Sequence, residues 1–180
     1  MTGRRGLTLL IKMKRQVFDS LDDSALPKAC FEPIIPMIRA KDGVVKSSVY
    51  KQLRTEQQRL FMFNAYYNHA INSLAEFYWW NAYYIAQPKA WSEIKAALEY
   101  FKLNEIKELL EKMEVFLKEK LNPSGLEKFE ISYSDLDRDP QLFSFFDSLN
   151  TQFIEISPVV LKQIGKVIRD APTDFIDFEE

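Results

Sequence analysis

Five glycines, one cysteine and one histidine among 180 residues leave the chain short of most building blocks of catalytic and metal centres. No glycine-rich phosphate loop, nucleophile elbow or paired-cysteine motif is present. The lone Cys30 excludes an intramolecular disulfide, which fits a reducing compartment. Such a thiol is either a nucleophile or a small apolar filler, and nothing beside Cys30 in sequence marks it as reactive. The single His69 cannot build a cage of several histidines, and one imidazole with scattered carboxylates such as Glu76 makes no metal centre. No metal and no cofactor are expected. Long apolar runs are missing as well. The stretch from Leu7 to Ile11 is interrupted by Lys12, Lys14 and Arg15, without the length or the cleavage site of a secretory signal. No membrane span is expected, and a cytoplasmic location is.

Charge is nearly balanced overall, at −2, but unevenly placed. Residues 1–60 carry 12 Lys/Arg and 6 Asp/Glu, residues 61–120 carry 7 and 8, and residues 121–180 carry 5 and 12. Either the two ends attract each other in the fold, or they form surfaces for partners of opposite charge. Arg4, Arg5, Lys12, Lys14 and Arg15 could meet phosphates, but no reading motif accompanies them, and nucleic acid is not the expected partner.

Apolar residues make up 47% of the chain and aromatics 14%, with 14 Phe, so large rings must do much of the packing. Helical periodicity dominates. Leu7, Leu10, Ile11, Phe18 and Leu21 predict a first helix over residues 7–21. Residues 27–43, with Pro27, Pro33, Pro36 and Gly43, predict irregular chain with at most a short helical turn. Thr55-Glu56-Gln57-Gln58 and Ser73-Leu74-Ala75-Glu76 are capping boxes, so one helix starts at Thr55 and another after a break at Asn72-Ser73. Pro88 starts a helix over about 89–102, and Asn104 caps the next, which Asn122-Pro123-Ser124-Gly125 ends. Residues 126–138 read as an extended connection, with Phe129, Ile131 and Tyr133 alternating. Asp139-Pro140 and Ser157-Pro158 each signal a helix start. The tail after Pro172 is expected to be loosely held. The fold class is all-α, a single domain of about six to seven short helices with little or no sheet. It comprises an N-terminal helix and Pro-rich arm over 1–54, a helical core over 55–170 and an acidic tail over 171–180.

Asp135, Asp137 and Asp139 alternate like the start of a calcium loop, but Pro140 stands where its glycine belongs and Phe146 where its terminal Glu belongs. A turn before a helix N-terminus accounts for them better. The most unusual segment is Phe77-Tyr78-Trp79-Trp80-Asn81-Ala82-Tyr83-Tyr84, whose six aromatics surround a helix. Either it is a central core helix or it exposes an aromatic surface. Successive residues diverge by about 100°, so one of Trp79 and Trp80 should be deeply buried and the other nearer the surface. The candidate partner or ligand surface is Trp79, Trp80, Tyr83, Tyr84, Tyr66 and His69.

The segment Asn72-Ser73-Leu74-Ala75-Glu76-Phe77-Tyr78 resembles the Asn-Gly-Gly-hydrophobic-x-x-aromatic turn of an all-helical bacterial family of DNA-mimic-protein-like domains. Ala96-Ala97-Leu98, Leu109-Leu110 and the Phe-rich run after Asp139-Pro140 are similar to its later helices. Ser73-Leu74 replaces the double glycine, and the heavy negative charge of a DNA mimic is absent. What the resemblance implies is a helical fold and a partner-binding role. The expected function is thus a protein-binding module, a bacterial regulatory, antitoxin or immunity-type protein that sequesters another protein or self-associates. The alternative is a small-molecule binder or enzyme with a pocket of Tyr66, Tyr67, Trp79, Trp80, Tyr83 and Tyr84 and His69 as acid–base group.

Overall fold

The computed structural model describes residue 9, residues 11–121 and residues 125–179. Leu7 and Leu10 of the first expected helix, Arg4 and Arg5, and the terminator Asn122-Pro123-Ser124 lie outside the described residues. Among the described residues the protein is all-α apart from two four-residue strands. Its residues group into two compact units, one of residues up to Phe61 together with those from Leu161 onward, the other of Met62–Val160.

In the first unit, Ile11–Lys14 is a strand, β1, rather than the middle of a helix. Ile11 and Met13 point inward while Lys12 and Lys14 face out, a period of two. The helix α1 begins only at Arg15 (Arg15–Ser20). The partner strand, β2, is Ile176–Glu179, and the two run parallel with Ile11 opposite Ile176, Lys12 opposite Asp177, Met13 opposite Phe178 and Lys14 opposite Glu179. The basic start of the chain therefore pairs, residue for residue, with its acidic end. The tail is not loose: Phe175 and Ile176 are buried, and Phe178 meets Phe18 edge to face at 5.3 Å.

The Pro-rich arm is more helical than expected. Pro27, Pro33 and Pro36 occupy the first turns of α2 (Leu26–Phe31), a 3-10 turn (Glu32–Ile34) and α3 (Ile35–Ile38), where a missing N–H costs nothing. Leu26, Cys30, Phe31 and Ile34 are buried there, whereas Met37 stays exposed. The helix α4 (Gly43–Gln52) is capped by Asp42, which accepts from the Val45 amide at 2.9 Å.

Helix α5 (Thr55–Ala70) starts as expected, but its cap lies one residue earlier. Gln57, not Gln58, reaches back, accepting from the Arg54 amide at 3.0 Å. Gln58 instead donates to the Tyr50 and Leu53 carbonyls at the end of α4.

The second unit holds the rest of α5, then α6 (Leu74–Ile85), α7 (Pro88–Tyr100) and α8 (Asn104–Lys120), the last three packed on one another. Ser73 caps α6 as its sequence implies, accepting from the Glu76 amide at 3.1 Å. Leu103, not Asn104, takes the cap position of α8. A 3-10 turn (Leu126–Lys128), an extended run and the short α9 (Asp135–Arg138) lead into α10 (Pro140–Asp170). Asp139 caps α10 by accepting from the Gln141 and Leu142 amides, both at 3.0 Å.

The two helices expected on either side of Ser157-Pro158 are one helix of 31 residues with Pro158 inside it. Pro158 is exposed, while Phe146, Phe153, Val160, Ile164 and Ile168 are buried along one stripe that passes it without a break. A proline inside a helix costs about 3 kcal/mol, and burying each large apolar side chain of that stripe returns roughly 1.5–3 kcal/mol.

Candidate functional site

The aromatic segment sits on α6, in the second unit. One face of that helix is core: Phe77, Tyr78, Asn81, Ala82 and Ile85 are 0–5% exposed. Phe77 lies 5.1 Å from Phe153 and Tyr78 4.9 Å from Phe146, ring to ring. The buried Asn81 amide is satisfied on both sides. Its Oδ1 accepts from the Tyr66 hydroxyl at 3.1 Å, and its Nδ2 donates to the Phe77 carbonyl at 2.7 Å. Tyr66, completely buried, is therefore a core residue of the site rather than part of its surface. Burial pushes its phenol well above the usual range. Tyr84 is similarly tied down, donating to the Ala65 carbonyl at 3.2 Å, and burial raises its phenol too.

The other face of α6 carries Trp79, Trp80 and Tyr83, all half-buried. The expected contrast between the two indoles does not arise. Both are partly exposed, and neighbouring elements cover each from the side. Trp79 stacks on Tyr83 at 5.0 Å and on Tyr133 at 5.7 Å, with Phe129 edge-on at 5.5 Å. Its Nε1 donates to the Ile131 carbonyl at 3.1 Å. Trp80 lies edge to face with Trp79 at 5.0 Å and donates from Nε1 to Glu76 at 2.8 Å. The Glu76 side chain thus serves an indole.

Phe129 and Tyr133 join this cluster from the connection before α9, and sequence reasoning did not place them there. Their alternation with Ile131 was the available signal. Asp135 holds that connection, accepting from the Tyr78 hydroxyl at 3.0 Å and the Ser132 amide at 2.8 Å. The Asp135, Asp137 and Asp139 series therefore divides its labour: Asp135 anchors the connection, Asp139 caps α10 and pairs with Lys120 at 2.7 Å, and Asp137 is exposed. Among the described residues no group of His, Cys, Asp and Glu could hold a metal ion.

His69, at the end of α5, stacks flat on Trp80, with centroids 3.8 Å apart and planes 18° from parallel. Burial lowers its pKa below the ordinary 6.5, with the Glu76 carboxylate pulling the other way. Tyr67 stacks on Phe63 at 5.3 Å. Cys30, in the first unit, is buried, and burial pushes its thiol up to about 12, which makes it an apolar filler in practice.

Three hollows of the second unit are lined by other residues. One, of about 510 Å³, has Trp91, Lys95, Glu114 and Lys118 in its wall. Burial of Glu114 opposes its charge, but hydrogen bonding from Lys118 and Lys95 outweighs this and holds the carboxyl down at about 2. The lysines lie at 2.6 and 3.0 Å. The geometry gives the buried Trp91 Nε1 no hydrogen-bond partner of its own, so the two lysines are the groups that hold the Glu114 carboxylate in place. The other two hollows, of about 530 and 230 Å³, adjoin each other along α8 and α10. No helix among the described residues is long and apolar enough to cross a membrane. No protein-family model, curated protein or solved structure matches the chain.

Proposed function

We propose that the chain acts by binding another protein, as a module of the regulatory, antitoxin or immunity type. The supporting observation is the aromatic plate on α6. Trp79, Trp80, Tyr83 and Phe129 are partly exposed and Tyr133 is 44% exposed, in one contiguous patch. Both indole N–H groups are bonded inside the protein, so the two indoles are held in place and their polar atoms need no new partner. Large aromatic rings that lose little freedom on contact are the usual anchors of protein interfaces. The stacked His69 supports binding over catalysis, since acid–base chemistry asks for an imidazole nitrogen aimed into a cavity.

The test is affinity capture from the native host with the wild-type chain and with Tyr133→Asp, which alters an exposed edge and spares the core. A protein held by the wild type and retained at least tenfold less by the variant, at an unchanged melting temperature, is the expected result. Absence of any reproducible protein partner sinks the reading.

A further inference from the structure

The two adjoining hollows along α8 and the N-terminal half of α10 together combine an apolar floor with an acidic rim. The floor is apolar: Phe116 and Phe145 stack at 3.8 Å with planes 10° apart, Leu109 and Ile156 continue the floor, and Val115 is 58% exposed at one edge. The rim is acidic: Glu105, Glu108, Glu111 and Glu119 from α8 and Glu155 from α10 surround the floor, against the single Lys112.

The carboxylates are placed at a cost. Glu105, Glu108 and Glu111 follow one another at i,i+3, a spacing at which like charges repel on a helix. None of the five rim glutamates forms an ion pair among the described residues. Four nearby lysines are engaged elsewhere, Lys95 and Lys118 with Glu114, Lys107 with Glu99 and Lys120 with Asp139, which leaves Lys112 within the rim itself. Nor do the rim carboxylates converge on a point that would suit a cation, as no metal-holding group is present among the described residues. They border an apolar trough instead. The stretch of α8 from Glu105 to Glu119 is about 21 Å long, at 1.5 Å per residue, the length of a four-turn helix.

We propose that this groove is a docking site for a basic amphipathic helix of a partner protein. Apolar side chains at i, i+3, i+4 and i+7 would lie on Phe116, Phe145 and Ile156, and flanking Lys or Arg would meet the rim. The negative rim argues against an anionic ligand such as nucleic acid. The inference names a partner chemistry for the protein-binding reading and rests on it, but it uses a surface separate from the aromatic plate.

The probe is a synthetic peptide of about four helical turns with Leu and Phe on one face and Lys and Arg on the other. Its controls are a scrambled peptide and one with Glu in place of Lys and Arg. With the full-length chain isotopically labelled, the basic helical peptide should bind and shift the amides of Val115, Phe116, Phe145 and Ile156. Its affinity should fall with added salt. Glu108→Lys with Glu111→Lys should weaken binding about tenfold, in line with two lost rim pairs. Glu108→Gln with Glu111→Gln repeats the test without placing new lysines beside Lys107 and Lys112, and it should leave the melting temperature level or raise it, because it removes two of the three like charges spaced at i,i+3. No binding by the basic helical peptide, equal binding by either control, or shifts confined to other surfaces would each overturn the proposal. Concentration-dependent self-association that the Gln variant abolishes would overturn it too, by giving the groove to a second copy of this chain. Loss of capture by Tyr133→Asp alongside a silent groove would leave protein binding standing and remove only the groove.

Discussion

At Gly165 the backbone of α10 comes so close to the turn at Asp23 that a Cβ would overlap the Asp23 carbonyl. That turn is itself clamped, since Arg169 donates to Asp23 Oδ1 and to the Leu21 carbonyl, each at 2.7 Å. Gly→Ala inside a helix ordinarily stabilises by about 1 kcal/mol. Gly165→Ala should instead destabilise by about 1–3 kcal/mol, the usual cost of overpacking. Gly43→Ala, with nothing near its Cβ, is the control and should be neutral or slightly stabilising in the same thermal melts. His69 offers a second residue-level test. Its folded pKa lies below the unfolded value of 6.5, so the unfolded chain takes up a proton first as pH falls. The contribution of His69 to stability is complete above pH 6.5, declines below it, and levels off once the folded imidazole is protonated as well. Because His69 stacks on Trp80, the imidazolium should also quench that indole, giving a fluorescence step with a midpoint below 6.5 that is absent in His69→Phe. A step above 6.5 would reverse the sign and refute the environment described for His69.

The element whose behaviour departs most from its sequence is the tail. A two-stranded parallel sheet is marginal by itself, and β1 with β2 holds because its flanks are anchored. Gln57 donates to the Phe175 carbonyl at 3.1 Å, Arg54 donates to the Thr173 carbonyl at 2.6 Å, and the Arg15 guanidinium lies 4.5 Å from the Phe178 ring centre. Phe175 and Ile176 together represent roughly 3–6 kcal/mol of apolar burial. Deleting residues 174–180 should therefore lower the melting temperature by on the order of 10 °C. An unchanged melt would mean the strand is dispensable. In α10 the opposite misreading occurs, as the local start signal at Ser157-Pro158 yields to a continuous buried stripe. Ser157 still satisfies its hydroxyl locally, donating to the Phe153 carbonyl at 2.6 Å.

Across the whole molecule, what the sequence by itself determined is what depends on neighbours a few residues apart. Apolar spacing marked α5, α7 and α8, and the Ser73 and Asp139 caps marked the starts of α6 and α10. Only the tertiary structure decided whatever joins distant residues. The basic start of the chain found its partner 165 positions away, and Ile11 opposite Ile176 became a strand because that partner existed. The aromatic plate was half legible, in Trp79, Trp80 and Tyr83, but Phe129 and Tyr133 reached it only through the Asp135 anchor. The acidic groove was invisible to any count of charge, since residues 61–120 are nearly neutral. It came about because the fold paired Lys95, Lys107, Lys118 and Lys120 with other carboxylates and left five glutamates around stacked phenylalanines with Lys112 as their one lysine neighbour in the rim. Periodicity is set by backbone geometry over a few residues, whereas pairing, covering and charge neutralisation depend on which surfaces meet across the fold.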